Sequence, residues 1–192
     1  GLNESVEAEP TEATRYETVV DMSTLNKWVE KLTRAPYFAF DTETTSIDAM
    51  QARLVGVSFA VEAGEGAYVP VGHDYLDAPK QLSKEQVLDA LRPLLEDPNR
   101  AKLGQNLKYD CTVLHNHGVM LTGIRFDTML ESYVLDSTGS RHDLDTLSLK
   151  YLGHKTIHYE DVAGKGKGQL SFNEVPVEVA APYAAEDADI TL

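Results

Sequence analysis

Three apolar runs, Tyr37–Asp41, Leu54–Val61 and Ala67–Val71, constrain this chain more than any other feature. Each is short, rich in β-branched and aromatic residues, and bounded by turn-formers, so each is predicted to be a strand. Glu62-Ala63-Gly64-Glu65-Gly66 is the turn that joins the last two. Tyr16–Val20 adds a shorter strand before them, and Ala101–Gly104 another after them. Helical patterns lie between and beyond these runs. Ser23 is a candidate cap for a helix whose apolar positions are Leu25, Trp28, Val29 and Leu32. Ser83 opens a second helix with Gln86 completing a capping box. That helix carries Val87, Leu88, Leu91, Leu94 and Leu95 and is stopped by Pro98. Further helices are expected over Asn106–His117, with Gly118 as its C-terminal cap, over Asp127–Leu135, and over Asp143–Leu152, stopped by Gly153. A long loop is expected over residues 154–170 and a final helix over Val175–Leu192. Strands first, then helices alternating with strands, predict an α/β fold: a mixed β-sheet flanked by α-helices.

The composition narrows the function classes. No apolar run reaches the roughly 18 residues a membrane span needs, and no charged-then-apolar leader opens the sequence. The single cysteine, Cys111, excludes an internal disulfide and suits a reducing compartment. The formal net charge of −14 argues against a broad phosphate-binding surface. It leaves room for a small site that takes a few nucleotides with the help of cations. Residues 1–15 are polar and Glu-rich, and a disordered tail or linker is expected there. The last segment is still helical in pattern at Leu192, with no cap, so the chain is expected to be cut from a longer one.

Acidic residues recur at spacings that place them on shared faces. Asp41 and Glu43 close the strand Tyr37–Asp41, and residues two apart on a strand point the same way. Two carboxylates beside a buried strand are costly unless a cation compensates them. Asn106 and Asp110 are four apart at the start of a helix, as are Tyr183 and Asp187 in the final helix. Taken alone, each pair has a plain structural explanation: a polar turn, a cap beside a solvated acid, a half-buried Tyr beside an exposed Asp. Taken together, they form the kind of carboxylate set that holds divalent cations, about 3.5–4 Å apart, for phosphodiester hydrolysis. Magnesium prefers carboxylates, phosphate oxygens and water, with no need for His or Cys.

In chain order the motifs read Asp41-x-Glu43, Asn106-x-x-Tyr109-Asp110 and Tyr183-x-x-x-Asp187. This resembles the tyrosine branch of the ribonuclease H-like exonuclease superfamily with four acidic residues. The stretches FAFDTET, KLGQNLKYD, FDTMLESY, AGKGK and PYAAEDAD are similar to the proofreading domains of bacterial DNA polymerase I. The likeness covers nearly all of residues 16–192.

The resemblance implies a ribonuclease H-like sheet and 3′→5′ removal of nucleoside 5′-monophosphates from single-stranded or frayed DNA ends. It implies that Asp41, Glu43 and Asp187 hold a first metal, and that Asp41, with Asp110 through solvent, holds a second. Tyr183, with Glu43, would orient the attacking water. Thr44, Ile47, Tyr159 and Arg141 would meet substrate: Thr44 and Ile47 the terminal bases, Tyr159 a base, Arg141 a phosphate; Asn106 would contact the substrate or the backbone of the motif. Ile47 stands where the family usually has leucine. The implied cofactors are two Mg2+ or Mn2+ ions, with Zn2+ an alternative at one site. The implied partners are a DNA 3′ end and a polymerase domain downstream in the same chain, in a monomeric protein of the bacterial cytoplasm associated with the nucleoid. A catalytically silent domain of a polymerase and an RNA-trimming exonuclease of the ribonuclease D type are the alternatives.

Two departures from simple patterns stand out. Pro182 lies inside the expected last helix, which should therefore bend over 178–182 or restart at Pro182. Gly164-Lys165-Gly166-Lys167-Gly168 lacks the spacing of a phosphate loop and is expected to be a basic loop near the DNA.

Overall fold

The computed structural model describes residues 14–138 and 141–192. Most of the tail expected over 1–15 lies outside the described residues, whereas Arg15 already belongs to the first strand. The strands are β1 (Arg15–Thr18), β2 (Tyr37–Thr44), β3 (Leu54–Glu62), β4 (Glu65–Pro70), β5 (Ala101–Gly104) and β6 (Ile124–Asp127). The helices are α1 (Met22–Arg34), α2 (Lys84–Leu95), α3 (Leu107–Asn116), α4 (Thr128–Leu135), α5 (Leu144–Leu152), α6 (Tyr159–Ala163) and α7 (Val177–Thr191). The six strands form one sheet in the order β1-β4-β3-β2-β5-β6. β2, β3 and β4 are antiparallel neighbours, while β1 joins β4, β5 joins β2 and β6 joins β5, all in parallel. The sheet is mixed, as its run of strands and helices predicted.

Alternation along β2 divides the core. Phe38 and Phe40 face α1, α2 and α3, where they pack with Leu25, Trp28, Leu91, Leu107 and Val113. Ala39 faces the other way and meets Ala60, Leu103 and Ala188 of α7. α7 lies across β4, β3, β1 and β2 on that side. It approaches closely because its inner stripe is alanine, at 180, 181, 184, 185 and 188, all buried. The sheet makes matching room at Gly66, where a Cβ would come within 2.7 Å of the Ala185 carbonyl oxygen.

Several element boundaries differ from expectation for local reasons. Asp21, two residues before Ser23, caps α1: its Oδ1 accepts from the Thr24 N–H at 2.9 Å. The capping box at Ser83 and Gln86 forms as expected, and α2 continues through Pro93 to Leu95. α7 is a single helix that runs through Pro182, which stands on its exposed side. β6 and α6 were not anticipated; α6 is a single turn within the expected loop.

Candidate active site

The site forms where β2 outruns its parallel neighbour. β5 pairs with β2 only from Tyr37 to Ala39. Beyond that point the chain leaves β5 at Gly104 and turns into α3, and a crevice opens past the carboxyl ends of the strands, the usual ligand position in α/β sheets. Asp41 and Glu43 project into it from the same face of β2 as Ala39. Thr42 points the opposite way, toward α3. Its backbone N–H and its hydroxyl both donate to Asp110 Oδ1, at 3.0 and 2.6 Å. α7 brings Tyr183 and Asp187 in from the far side, one helical turn apart. The resulting cleft has a volume of about 730 Å³.

α3 begins with Asn106 in the left-handed conformation (φ 61°, ψ 44°), which Asn tolerates better than most residues. The exposed helix end is satisfied from outside by Asp127. Its two carboxylate oxygens accept from the N–H groups of Asn106 and Leu107 at 3.1 and 2.8 Å. Oδ1 also accepts from Met129 and Leu130 N–H at 3.0 and 3.3 Å, capping α4. One buried carboxylate at the end of β6 thus fixes the first turns of both helices.

Oxygens of Asp41, Glu43 and Asp187 lie within 4.8 Å of one another. Asp110 is outside this triad but lines the same cleft, its Oδ1 held by Thr42. Asp143 adds a fifth carboxylate to the lining, which contains no Lys or Arg among the described residues. Among the described residues, none of the triad or Asp110 forms an ion pair with a cationic side chain. Burial pushes the Asp41 and Glu43 carboxyls well above the usual range, and repulsion among Asp41, Asp110 and Asp187 adds to it. Asp187 is raised by burial and by Glu186 and Asp145, against the opposing effect of the Tyr183 hydroxyl beside it. Asp110 is pushed up to about 7 by burial, its hydrogen bonds from Thr42 opposing the shift. Glu43 Oε1 is buried with no hydrogen-bond partner. An unpaired buried carboxylate oxygen facing two other carboxylates is costly until a cation joins them. The all-oxygen donor set suits a hard divalent ion.

The structure places the remaining expected residues with different degrees of involvement. Thr44 lines the cleft, its hydroxyl hydrogen-bonded to the Tyr109 hydroxyl and the Ser46 carbonyl. Ile47 stands at the mouth with 99% of its surface exposed. Asn106 lines the wall and makes no side-chain cap. Tyr159 lines it too, its ring stacked on Phe172 at 6.3 Å and its hydroxyl donating to the Leu170 carbonyl. Arg141 is not brought into the lining. Its side chain is 88% exposed and pairs with Asp143 at 3.4 Å. Sequence reasoning missed Thr42, Asp127 and Phe172. Thr42 was hidden between the two acids, facing away from them. Asp127 was legible only as a helix start. Phe172 is the buried platform for Tyr159 and Tyr183, and nothing local marks it.

A family model described as 3′-5′ exonuclease, of the DNA polymerase A group, matches residues 16–192. The chain belongs to this exonuclease family. The DNA polymerase I of Pseudomonas aeruginosa is 59% identical over 92% of the chain, and that of Rhizobium leguminosarum 43% identical over 95%. The exonuclease unit spans about a fifth of each, 20% in both cases. Among solved structures, the ribonuclease D of Trypanosoma brucei superposes with a TM-score of 0.68 over 92% of this chain and 62% of its own, at 16% identity. That likeness is one of fold, and the sheet is ribonuclease H-like. No helix among the described residues is long and apolar enough to cross a membrane.

Proposed function

We propose that the exonuclease unit removes nucleoside 5′-monophosphates stepwise from single-stranded or frayed DNA 3′ ends, as the proofreading module of a DNA polymerase I. The observation that carries this is a cleft lined, among the described residues, by five carboxylates and no cationic side chain, three of the carboxylates converging within 4.8 Å. A phosphodiester is repelled by such a surface unless divalent ions screen it. Bound there, two such ions would supply an activated water and stabilise the leaving 3′-oxygen. Asp41, Glu43 and Asp187 would hold one of them, and Asp41, with Asp110 through solvent, the other; magnesium or manganese fits this donor set. Tyr183 and Glu43 orient the water for in-line attack. Thr44, Ile47, Asn106 and Tyr159 receive the terminal nucleotides at the mouth and wall, and Arg141 meets a phosphate further out. The presence of the whole acidic set favours an active domain over a silent one. The relatives' greater length supports a polymerase domain in the same chain. We place the parent protein, as a monomer, in the bacterial cytoplasm at the nucleoid.

Calorimetric titration with Mn2+ tests the site directly. The native domain is expected to bind, and an Asp41→Ala, Asp187→Ala double variant to lose both binding and cleavage. Full cleavage in excess chelator, or by the double variant, would overturn the metal-dependent mechanism.

A further inference from the structure

Behind Glu43 runs a hydrogen-bonded chain that the chemistry above does not use. Gly56 of β3 is the register partner of Glu43, so the two positions share a face of the sheet. Tyr68 of β4, wholly buried, lays its phenol over Gly56, where a Cβ would fall 2.2 Å from Tyr68 Oη. The absence of a side chain at Gly56 leaves room for the phenol on the sheet face that Glu43 shares, where burial and then the Glu43 charge raise its pKa.

Tyr68 Oη is 2.8 Å from His73 Nε2, and His73 Nδ1 is 2.9 Å from the Val175 carbonyl oxygen. A carbonyl only accepts, so Nδ1 carries the imidazole hydrogen. Burial lowers the pKa of His73 and favours its neutral form. Nε2 is then an acceptor, and the Tyr68 hydroxyl donates to it. The imidazole is itself held in place. Gln81 Oε1 accepts the His73 backbone N–H at 2.9 Å, and Gln81 Nε2 donates to the His73 carbonyl at 2.8 Å. Phe172 packs on the ring at 5.8 Å and Tyr75 at 6.3 Å. A phenol has one proton. Because His73 receives it, Tyr68 offers none to its neighbour, and Glu43 Oε1 is left without a donor.

We propose that His73 is a positioning residue for Glu43: it takes the only proton of the nearby Tyr68 phenol, so the Glu43 carboxylate stays unpaired and free for a divalent cation and the attacking water. This rests on the metal-dependent reading of the cleft. His73 touches neither substrate nor metal and acts through Glu43.

The test measures Mn2+ affinity by calorimetry without DNA, so it does not depend on turnover. His73→Phe keeps an aromatic ring but removes the acceptor, and the freed phenol turns toward Glu43. A hydrogen bond to a charged group is strong enough for the dissociation constant to rise about tenfold. Adding Tyr68→Phe removes the competing donor, and the double variant is expected to return to within about twofold of the native value. A packing role alone predicts the reverse order, with the double variant weaker than His73→Phe. That order, or unchanged affinity in His73→Phe, would overturn the proposal. Should His73→Phe fail to fold by circular dichroism, Tyr68→Phe alone decides. Affinity within about twofold supports the proposal, and a loss of about tenfold overturns it. Asp41→Ala is the control that separates the two ideas. If it leaves Mn2+ binding intact, the metal reading fails and this inference with it; if it abolishes binding while the rescue is absent, only the positioning role fails.

Discussion

Tyr183 and Asp110 carry the sharpest expectations at the scale of single residues. The Tyr183 phenol is pushed well above its ordinary pKa by burial and then by Asp187, Glu43 and Asp41, so it stays protonated and is a poor general base. In the proposed reaction its task is then to hold and align the water. Tyr183→Phe is therefore expected to lower kcat by about 10- to 100-fold with little change in KM, because the loss is one of positioning at the transition state. Single-turnover assays beside Asp41→Ala check this, and equal inactivity of the two would refute the water-aligning role. Asp110 gives a pH dependence. Its folded pKa of about 7 lies above the unfolded value, which is about 3.9. A raised carboxyl contributes stability that is full below the unfolded pKa and lost as pH rises through the folded one. Without metal, Asp110→Asn, which keeps an acceptor for Thr42, should raise Tm by a few degrees at pH 8, on the order of 1 kcal/mol or more. It should change Tm little at pH 4. Thermal melts in chelator at the two pH values decide it, and the same shift at both would contradict the cause assigned.

At the scale of elements, Asp127 ties the site to the sheet. Four backbone N–H groups from two helix ends depend on its carboxylate. Asp127→Ala should cost about 2 kcal/mol or more, since each cap alone is worth about 0.5–2 kcal/mol. It should also reduce cleavage, because α3 carries Asp110 and Asn106 is its N-cap. Urea unfolding measures the first effect, and a variant as stable as the native domain would show that solvent replaces the caps. Asp127 also marks the limit of what the sequence reveals. The capping box at Ser83, the pairing of Asp41 with Glu43 on one strand face and the spacing of Tyr183 from Asp187 are local, and all were legible. The bonds from Thr42 to Asp110 and from Asn106 to Asp127 join residues far apart in the chain, and periodicity says nothing of them. Elsewhere the local signals competed. Asp21 and Ser23 are both good caps, and Asp21 wins because its carboxylate reaches both the N–H and the hydroxyl of Thr24. β6 escaped notice because its four residues run straight into α4. α7 does not restart at Pro182 but continues from Val177 to Thr191, because its alanine stripe is packed along that length.

For the whole molecule, the net charge of −14 and the cation-free cleft act together. In the proposed reaction, binding would then come from divalent ions at the scissile phosphate and from a few side chains that meet unpaired bases. Ile47 and Tyr159, at the mouth and wall, suit bases released from a stack. The domain should therefore favour single strands and frayed ends over paired ones. The most direct measurement follows a 5′-labelled DNA oligonucleotide, offered single-stranded and as a blunt duplex, in Mg2+ and in excess chelator. We expect a ladder shortening one nucleotide at a time from the 3′ end, release of 5′-mononucleotides, faster digestion of the single strand, and no digestion in chelator. Internal cuts, digestion from the 5′ end, or an undiminished rate in chelator would contradict the account.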